Sequence, residues 1–197
     1  MRKLKLQIQM TIDGFVAGPN GEFDWAFIAG KGDQEALQQV IGLNIELAST
    51  CDTMLLGRKL AASGFCTYWG NLADNEPDNP WHPLAQLITD HRKIAFSRSE
   101  TTFSGRNLEA ENGDLATAVQ ALKQQPGKDI LVYGGADFVS SLISLNLIDE
   151  YYLIVNPVAI GEGLSIFKER KVLELENSVA FKHGKIVNKY VPVSVGS

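Results

Sequence analysis

The stretch "ILVYGGADFVSSLI", residues 130 to 143, decides how the chain is read. Ile130, Leu131, Val132 and Tyr133 run without a break into Gly134 and Gly135. A short, wholly apolar run that ends on glycine reads as a strand covered on both faces. From Ala136 the apolar residues recur at helical spacing, so "ADFVSSLISLN" reads as a helix. The glycine pair between them has two explanations. It is a tight turn, which glycine makes at low steric cost. Alternatively, it lets a ligand anion approach the backbone N–H groups at the start of the helix. The pattern is neither the G-x-G-x-x-G fingerprint of dinucleotide-binding units nor a P-loop, because no G-K-[ST] follows.

Working outward, the same alternation of strand and helix recurs. Leu4, Leu6, Ile8, Met10 and Ile12 alternate with polar residues, which predicts a strand over 4–12 with one face buried. "DGFVAGPNGEFDW" is a long loop by its Gly, Pro, Asn and Asp content. Asp33 is placed to cap a helix over 33–49. "TMLLG" is a second buried strand, followed by a short helix or turn in "RKLAASGF". Residues 70–83 read as a polar loop, "LAQLITDH" as a short helix, "KIAFS" as a strand and "GRNLEA" as another short strand. Asp114 heads a helix that ends before Pro126 and Gly127, and "IDEYYLIVNP" is a strand. The segments 172–181 and 185–193, joined by "KHGK", read as an antiparallel hairpin with Gly184 in its turn. Such an order predicts an α/β fold in one domain, residues 1–197. Its sheet would be mixed but mostly parallel, flanked by helices and closed by an antiparallel C-terminal hairpin.

Composition narrows the function. The net charge is −5 and no basic stripe is present, so no nucleic acid partner is expected. Arg2, Lys3 and Lys5 imitate the start of a signal peptide, but the alternation that follows lacks the unbroken apolar run such a peptide needs. With no membrane-length apolar run either, the chain is expected to be cytoplasmic and to have no membrane partner. The two cysteines, Cys51 and Cys66, are expected to be free thiols. The three histidines are scattered without metal-ligand spacing, so no metal is expected.

In open α/β sheets ligands bind beyond the carboxyl ends of the strands. Three predicted strands end in segments suited to phosphate. In "LLGRKLA", Gly57 turns the chain and Arg58 and Lys59 bring positive charge to a helix start. In "AFSRSE", Arg98 lies between Ser97 and Ser99, a fork and two hydroxyls that suit a phosphate monoester. The third is "VYGGADF". Arg58, Lys59 and Arg98 are equally compatible with solvated surface residues. The agreement of all three segments is what points to a nucleotide carrying several phosphates.

"MTIDGFVAGPNGEFDW", "DTMLLGRKLA", "AFSRS", "LVYGGADFVSSLI" and "LIDEYYLIVNPVAIGEG" occur in an order that resembles the dihydrofolate reductase-like superfamily over nearly the whole chain. Within it, the chain is most similar to the C-terminal reductase domain of the riboflavin-biosynthesis deaminase-reductase and its stand-alone relatives. The resemblance implies a dihydrofolate reductase-like sheet, NADPH as hydride donor and a homodimer. It implies that Gly57, Arg58 and Lys59 hold cofactor phosphates and that Ser97, Arg98 and Ser99 hold the adenosine 2′-phosphate. Gly134, Gly135, Ala136 and Asp137 would cradle the pyrophosphate, and Val16 and Ala17 would meet the nicotinamide through their backbone. Two positions depart from the pattern. Phe15 stands where riboflavin-pathway reductases carry lysine, and Gln39–Leu43 lacks the helix carboxylate of dihydrofolate reductases.

Asp13 is the expected acid, unless it only caps its own Asp-Gly turn. Gln9, Asp24 and Trp25 are expected on the substrate side, with Trp25 either stacking on a flat ring or filling the core. Two functional classes follow. One is an NADPH-dependent reductase of a small heterocyclic, carbonyl or imine substrate, in the manner of a phosphoribosylamino-uracil reductase. The other is a nucleotide- or ligand-binding protein on the same scaffold, without turnover.

Overall fold

The computed structural model describes residues 1–193; the last four residues of the expected domain lie outside it. In chain order the strands are β1 (Leu4–Thr11), β2 (Cys51–Gly57), β3 (Arg92–Phe96), β4 (Leu108–Glu111), β5 (Asp129–Gly134), β6 (Glu150–Asn156), β7 (Leu173–Ala180) and β8 (Ile186–Pro192). The helices are α1 (Gln34–Ser49), α2 (Arg58–Ala62), α3 (Phe65–Asn75), α4 (His82–Asp90), α5 (Leu115–Gln124) and α6 (Ala136–Ser144), with a 3₁₀ turn at Asp24–Phe27. One sheet takes the order β4-β3-β2-β5-β1-β6-β8-β7. The pairings from β4 through to β6 are parallel. β8 runs antiparallel to both β6 and β7. The expected mixed sheet with its C-terminal hairpin is therefore present, and Gly184 turns the hairpin at φ +92°.

Local chemistry explains the helix starts. The Asp33 carboxylate accepts from the N–H groups of Glu35 and Ala36 at 2.9 and 3.1 Å. Asp114 does the same for Thr117 N–H at 2.9 Å. Each satisfies N–H groups that a helix start otherwise leaves unpaired.

Two layers of apolar residues sandwich the sheet. Leu4, Leu6, Ile130, Val132, Val139 and Leu142 belong to one. Leu47, Met54, Leu56, Leu84, Ile88 and Leu131 belong to the other. The expectation of one buried face on β1 is corrected by this sandwich. β1 is a central strand, and its polar residues Lys5 and Gln7 are also buried. They survive burial because α1 and its C-cap supply partners: Gln7 Nε2 donates to Asn44 Oδ1 at 2.7 Å, and Lys5 Nζ donates to Thr50 Oγ1 at 2.9 Å.

The polar loop expected over 70–83 is shorter. α3 continues to Asn75, because Cys66, Trp69 and Leu72 form an inward stripe and Asn71, Asp74 and Asn75 occupy the exposed side. Polar composition there reflects a solvated helix face, not a loop.

Lys93 on β3 is fully buried and donates to the carbonyls of Ile88, Thr89 and His91 at 2.8–2.9 Å. It thereby closes the carboxyl end of α4, and burial pushes its pKa down to about 8. Lys93→Met removes this donor from all three carbonyls, of which Thr89 O keeps only the Asn107 amide at 3.3 Å. The expected cost is about 3 kcal/mol, read as a lower urea midpoint with an unchanged slope.

Candidate active site

Parallel pairing sets three loops side by side. β2 lies between β3 and β5, with Gly57 beside Phe96 and Leu56 beside Gly134. The segments that follow these strands, at 57–59, 97–99 and 134–137, all line one cleft of about 1850 Å³. Single ligand sites commonly run to about 300–1,000 Å³, so this cleft has room for a large ligand or for two.

Ion pairs tie the loops together. Arg58 Nη1 meets Glu100 Oε1 at 3.0 Å, joining the first loop to the second. Lys59 Nζ meets Asp137 Oδ2 at 3.1 Å, joining the first to the third. Both pairs are exposed and so contribute little to stability; their cations can turn to an incoming anion. Arg98 is exposed on the same wall. Ser97 is not. Its Oγ accepts from the N–H groups of Ser99 and Glu100 at 3.2 and 2.8 Å and donates to Glu100 Oε2 at 3.0 Å. Ser97 thus shapes the loop that presents Arg98 and Ser99.

The opening glycines separate into different roles. Gly134 has φ +140°, a conformation that L side chains rarely adopt, and its peptide bond to Gly135 is cis. Gly135 has an ordinary φ of −76° and caps α6 without a side-chain hydrogen bond. A Cβ built on Gly135 meets only open space. Gly57 is different again: a Cβ there would lie 2.7 Å from Phe138 Cβ, so this glycine is needed for close packing of β2 against α6.

Val16 and Ala17 also line the cleft. Two bonds of 2.8 Å, Val16 N–H to Leu164 O and Leu164 N–H to Ala17 O, pin this segment. Gln9 reaches the cleft as expected; its Oε1 accepts from Asn156 Nδ2 and Lys185 Nζ, each at 3.2 Å.

Three expectations are corrected. Asp13 is no acid facing the cleft. Its carboxylate accepts from the Thr11 hydroxyl and from the N–H groups of Gly161 and Ile160, at 2.8 and 3.0 Å for the latter two. Those bonds, the Thr11 hydroxyl foremost, hold its pKa below the usual carboxylate range. It ties the loop after β1 to the loop after β6. Trp25 is buried against Phe23, with ring centroids 5.2 Å apart, and belongs to the core. Asp24 is exposed and does not line the cleft, which is met from this turn by Phe23, Ala26 and Phe27.

Sequence reading missed the rest of this wall. Tyr133, Phe65, Trp69 and Trp81 form a chain of edge-to-face rings with centroids 6.1–6.3 Å apart, and all four line the cleft. Burial holds the Tyr133 hydroxyl protonated, well above the ordinary tyrosine range. α1 presents Val40 and Asn44, so no carboxylate enters from the middle of that helix. Lys185, from the hairpin turn, is buried at the cleft wall.

A doubly covered, mostly parallel sheet with this strand order and a cleft across its strand ends is a dihydrofolate reductase-like domain. The family model for the RibD C-terminal domain matches residues 2–187, and the chain belongs to that family of reductase-type domains. Among curated relatives, YyaP of Bacillus subtilis is 33% identical over 190 residues, covering 94% of this chain and 92% of that protein. YwjB of the same organism is 28% identical over 169 residues, covering 85% and 84%. Among solved structures, a protein of Shewanella sp. PV-4 superposes with a TM-score of 0.69 at 16% identity, covering 98% of this chain and all of the other. The diaminohydroxyphosphoribosylaminopyrimidine deaminase/5-amino-6-(5-phosphoribosylamino)uracil reductase of Thermotoga maritima gives a TM-score of 0.60 at 15% identity, covering 98% and 57%. At these identities the structural likeness shows the fold. No described helix is long and apolar enough to cross a membrane.

The two glycines should respond in opposite ways to one methyl group. Gly57→Ala collides with Phe138 and is expected to cost about 2 kcal/mol. Gly135→Ala enters open space and should change stability by no more than about 0.5 kcal/mol. Urea denaturation of both variants checks the contrast.

Proposed function

We propose that the protein is an NADPH-dependent reductase of a small, flat carbonyl, imine or heterocyclic substrate. The observation that carries this reading is the row of three strand-end loops along one cleft, with open space in front of Gly135. A dinucleotide fits the residues present. α6 has no side-chain cap at its N-terminus, which leaves its first N–H groups to a pyrophosphate. Arg58, Lys59 and Arg98 supply charge along the wall, with Arg98 and Ser99 assigned to the 2′-phosphate. Bound NADPH supplies the hydride. The chain's own residues orient the two reactants, exclude water with the aromatic wall and position a proton.

The substrate half differs from what a phosphoribosyl substrate asks for. Phe15, next to the cleft-lining Val16, stands where the resemblance implies a lysine, and a chain of aromatic rings forms one part of the wall. This favours a substrate other than that in the name of the Thermotoga maritima relative. The second reading, a binding protein without turnover, is favoured by the absence of a carboxylate over Gln39–Leu43, where α1 presents only Val40 and then Asn44 to the cleft. We also read the protein as a cytoplasmic homodimer. β7, an edge strand with Leu175 and Val179 exposed, is the surface that supports the dimer.

NADPH should raise the melting temperature in a concentration-dependent way. NADH should do so only at concentrations about tenfold or more higher, and Arg98→Ala should remove the difference between them. Gly135→Ala should bind NADPH more weakly while melting like the wild type. Equal stabilisation by both cofactors contradicts the role of Arg98; no shift with either contradicts the cofactor. NADPH oxidation, followed in the presence of candidate carbonyl compounds, separates the reductase from the binding protein.

A further inference from the structure

Four lysines are nearly fully buried: Lys5, Lys93, Lys123 and Lys185. Lys5 and Lys123 face the carboxylates of Asp129 and Asp149 at 2.8 and 2.6 Å. Lys93 donates to three carbonyls. Lys185 differs from all of these. It is 4% exposed, yet it forms part of the cleft wall. Its Nζ donates to Ala26 O at 2.8 Å and to Gln9 Oε1 at 3.2 Å. An ammonium carries three donors, so one proton is left over. Burial alone pushes its pKa down, with no carboxylate beside it to offset the effect. A cation buried without an anion is costly, and such groups collect at functional sites.

Other polar atoms nearby are also left unmatched. Gln7 and Gln9 project from the same face of β1, two residues apart. Gln7, a residue of the cleft wall, has its Nε2 taken by Asn44, but its Oε1 is buried without a partner. Tyr133 Oη is buried and unpartnered on the same cleft. Ala26 belongs to the 3₁₀ turn that also bears Phe27, whose ring stands 5.8 Å from that of Phe23, edge to face. The region therefore offers a spare charged donor, a spare acceptor and flat apolar faces.

We propose that Lys185 is a catalytic residue: its third N–H binds the carbonyl oxygen of a flat, phosphate-free nitrogen heterocycle and protonates that oxygen during reduction. Gln7 Oε1 receives an N–H of the same ring, and Phe23 and Phe27 flank its plane. The proposal rests on the reductase reading for its reductant, a reduced nicotinamide, which is oxidised in the step. The carbonyl carbon gains the hydride. The π electron pair of the carbonyl moves to oxygen, which takes the proton from Lys185. The amine left behind regains a proton from water. The groups that face Lys185 are Gln9 from β1, the Ala26 carbonyl and, through Gln9, Asn156 from β6, all uncharged. The titratable group coupled to it is His183 of the same hairpin, whose pKa is lowered first by burial and then by Lys185 and is opposed by Asp33.

Isatin is a suitable probe: a flat, phosphate-free bicycle with a ketone beside a lactam N–H. Three proteins are compared, the wild type, Lys185→Met and Lys185→Arg. NADPH should stabilise all three against heat equally; if it fails to stabilise the wild type, the cofactor reading falls, and isatin binding alone then decides on Lys185. Isatin should quench the tryptophan fluorescence of the wild type, because Trp25 packs against Phe23 beside the proposed position. Lys185→Met should weaken isatin binding by about tenfold or more, as expected for a lost charged hydrogen bond, while Lys185→Arg keeps most of it. With both reactants saturating, Lys185→Met should lower kcat by about 100-fold or more. The wild-type rate should fall on the alkaline side as Lys185 loses its proton, and that limb should be absent from the Met variant. Equal isatin affinity and equal kcat in wild type and Lys185→Met would overturn the proposal. So would failure of the wild type to bind isatin, or a loss of NADPH binding in Lys185→Met that matches its loss of isatin binding.

Discussion

The parallel register of β3, β2 and β5 is the constraint on which the candidate site depends. Neighbouring strands in a sheet stand about 4.8 Å apart, so three strands that end together deliver three loops in a row. Here Gly57 pairs beside Phe96, and Leu56 beside Gly134. No loop needs to be long to reach its neighbour. Two exposed ion pairs, Arg58–Glu100 and Lys59–Asp137, bridge neighbouring loops of the row. A multi-phosphate ligand spans about the width of such a row, and the helix start at Gly135 adds N–H groups at one end of it.

The second constraint is the polar stripe on β1. A central strand between two apolar layers would ordinarily be apolar on both faces. Instead β1 carries Lys5, Gln7 and Gln9 toward α1. Buried polar groups are kept only when they are hydrogen-bonded or used. At the inner end of the stripe Lys5 is matched by Thr50 and Asp129. Toward the cleft the matching becomes incomplete, at Gln7 Oε1 and at the third proton of Lys185. The gradient from satisfied to unsatisfied runs into the space that a substrate would fill.

Much of the fold was legible from local signals. The apolar runs at 53–57 and 129–133, the caps at Asp33 and Asp114 and the turn at Gly184 all act within a few residues, and the structure carries each of them. That three strand-end loops would be candidates for one site was legible for the same reason, and they do line one cleft. What escaped was non-local. Alternation on β1 looked like a solvated face because nothing in that segment announces that α1 will cover it. Asp13 looked like a free acid because its partners Ile160 and Gly161 are far away in the chain. Trp25 gave no sign of which side it would face. Lys185 sits in a charged turn, "KHGK", where exposure is the ordinary expectation; only the return of the hairpin to Ala26 and Gln9 buries it.

The central claim is that one anion-binding row, drawn from three strand ends, holds the phosphates of a dinucleotide. Backbone amide chemical shifts, followed by NMR through a titration with NADPH, test it most directly. The account predicts the largest shifts at Gly57–Lys59, Arg98–Ser99 and Gly135–Asp137, moving together with a single affinity. Shifts centred elsewhere, or confined to one of the three loops, would contradict it.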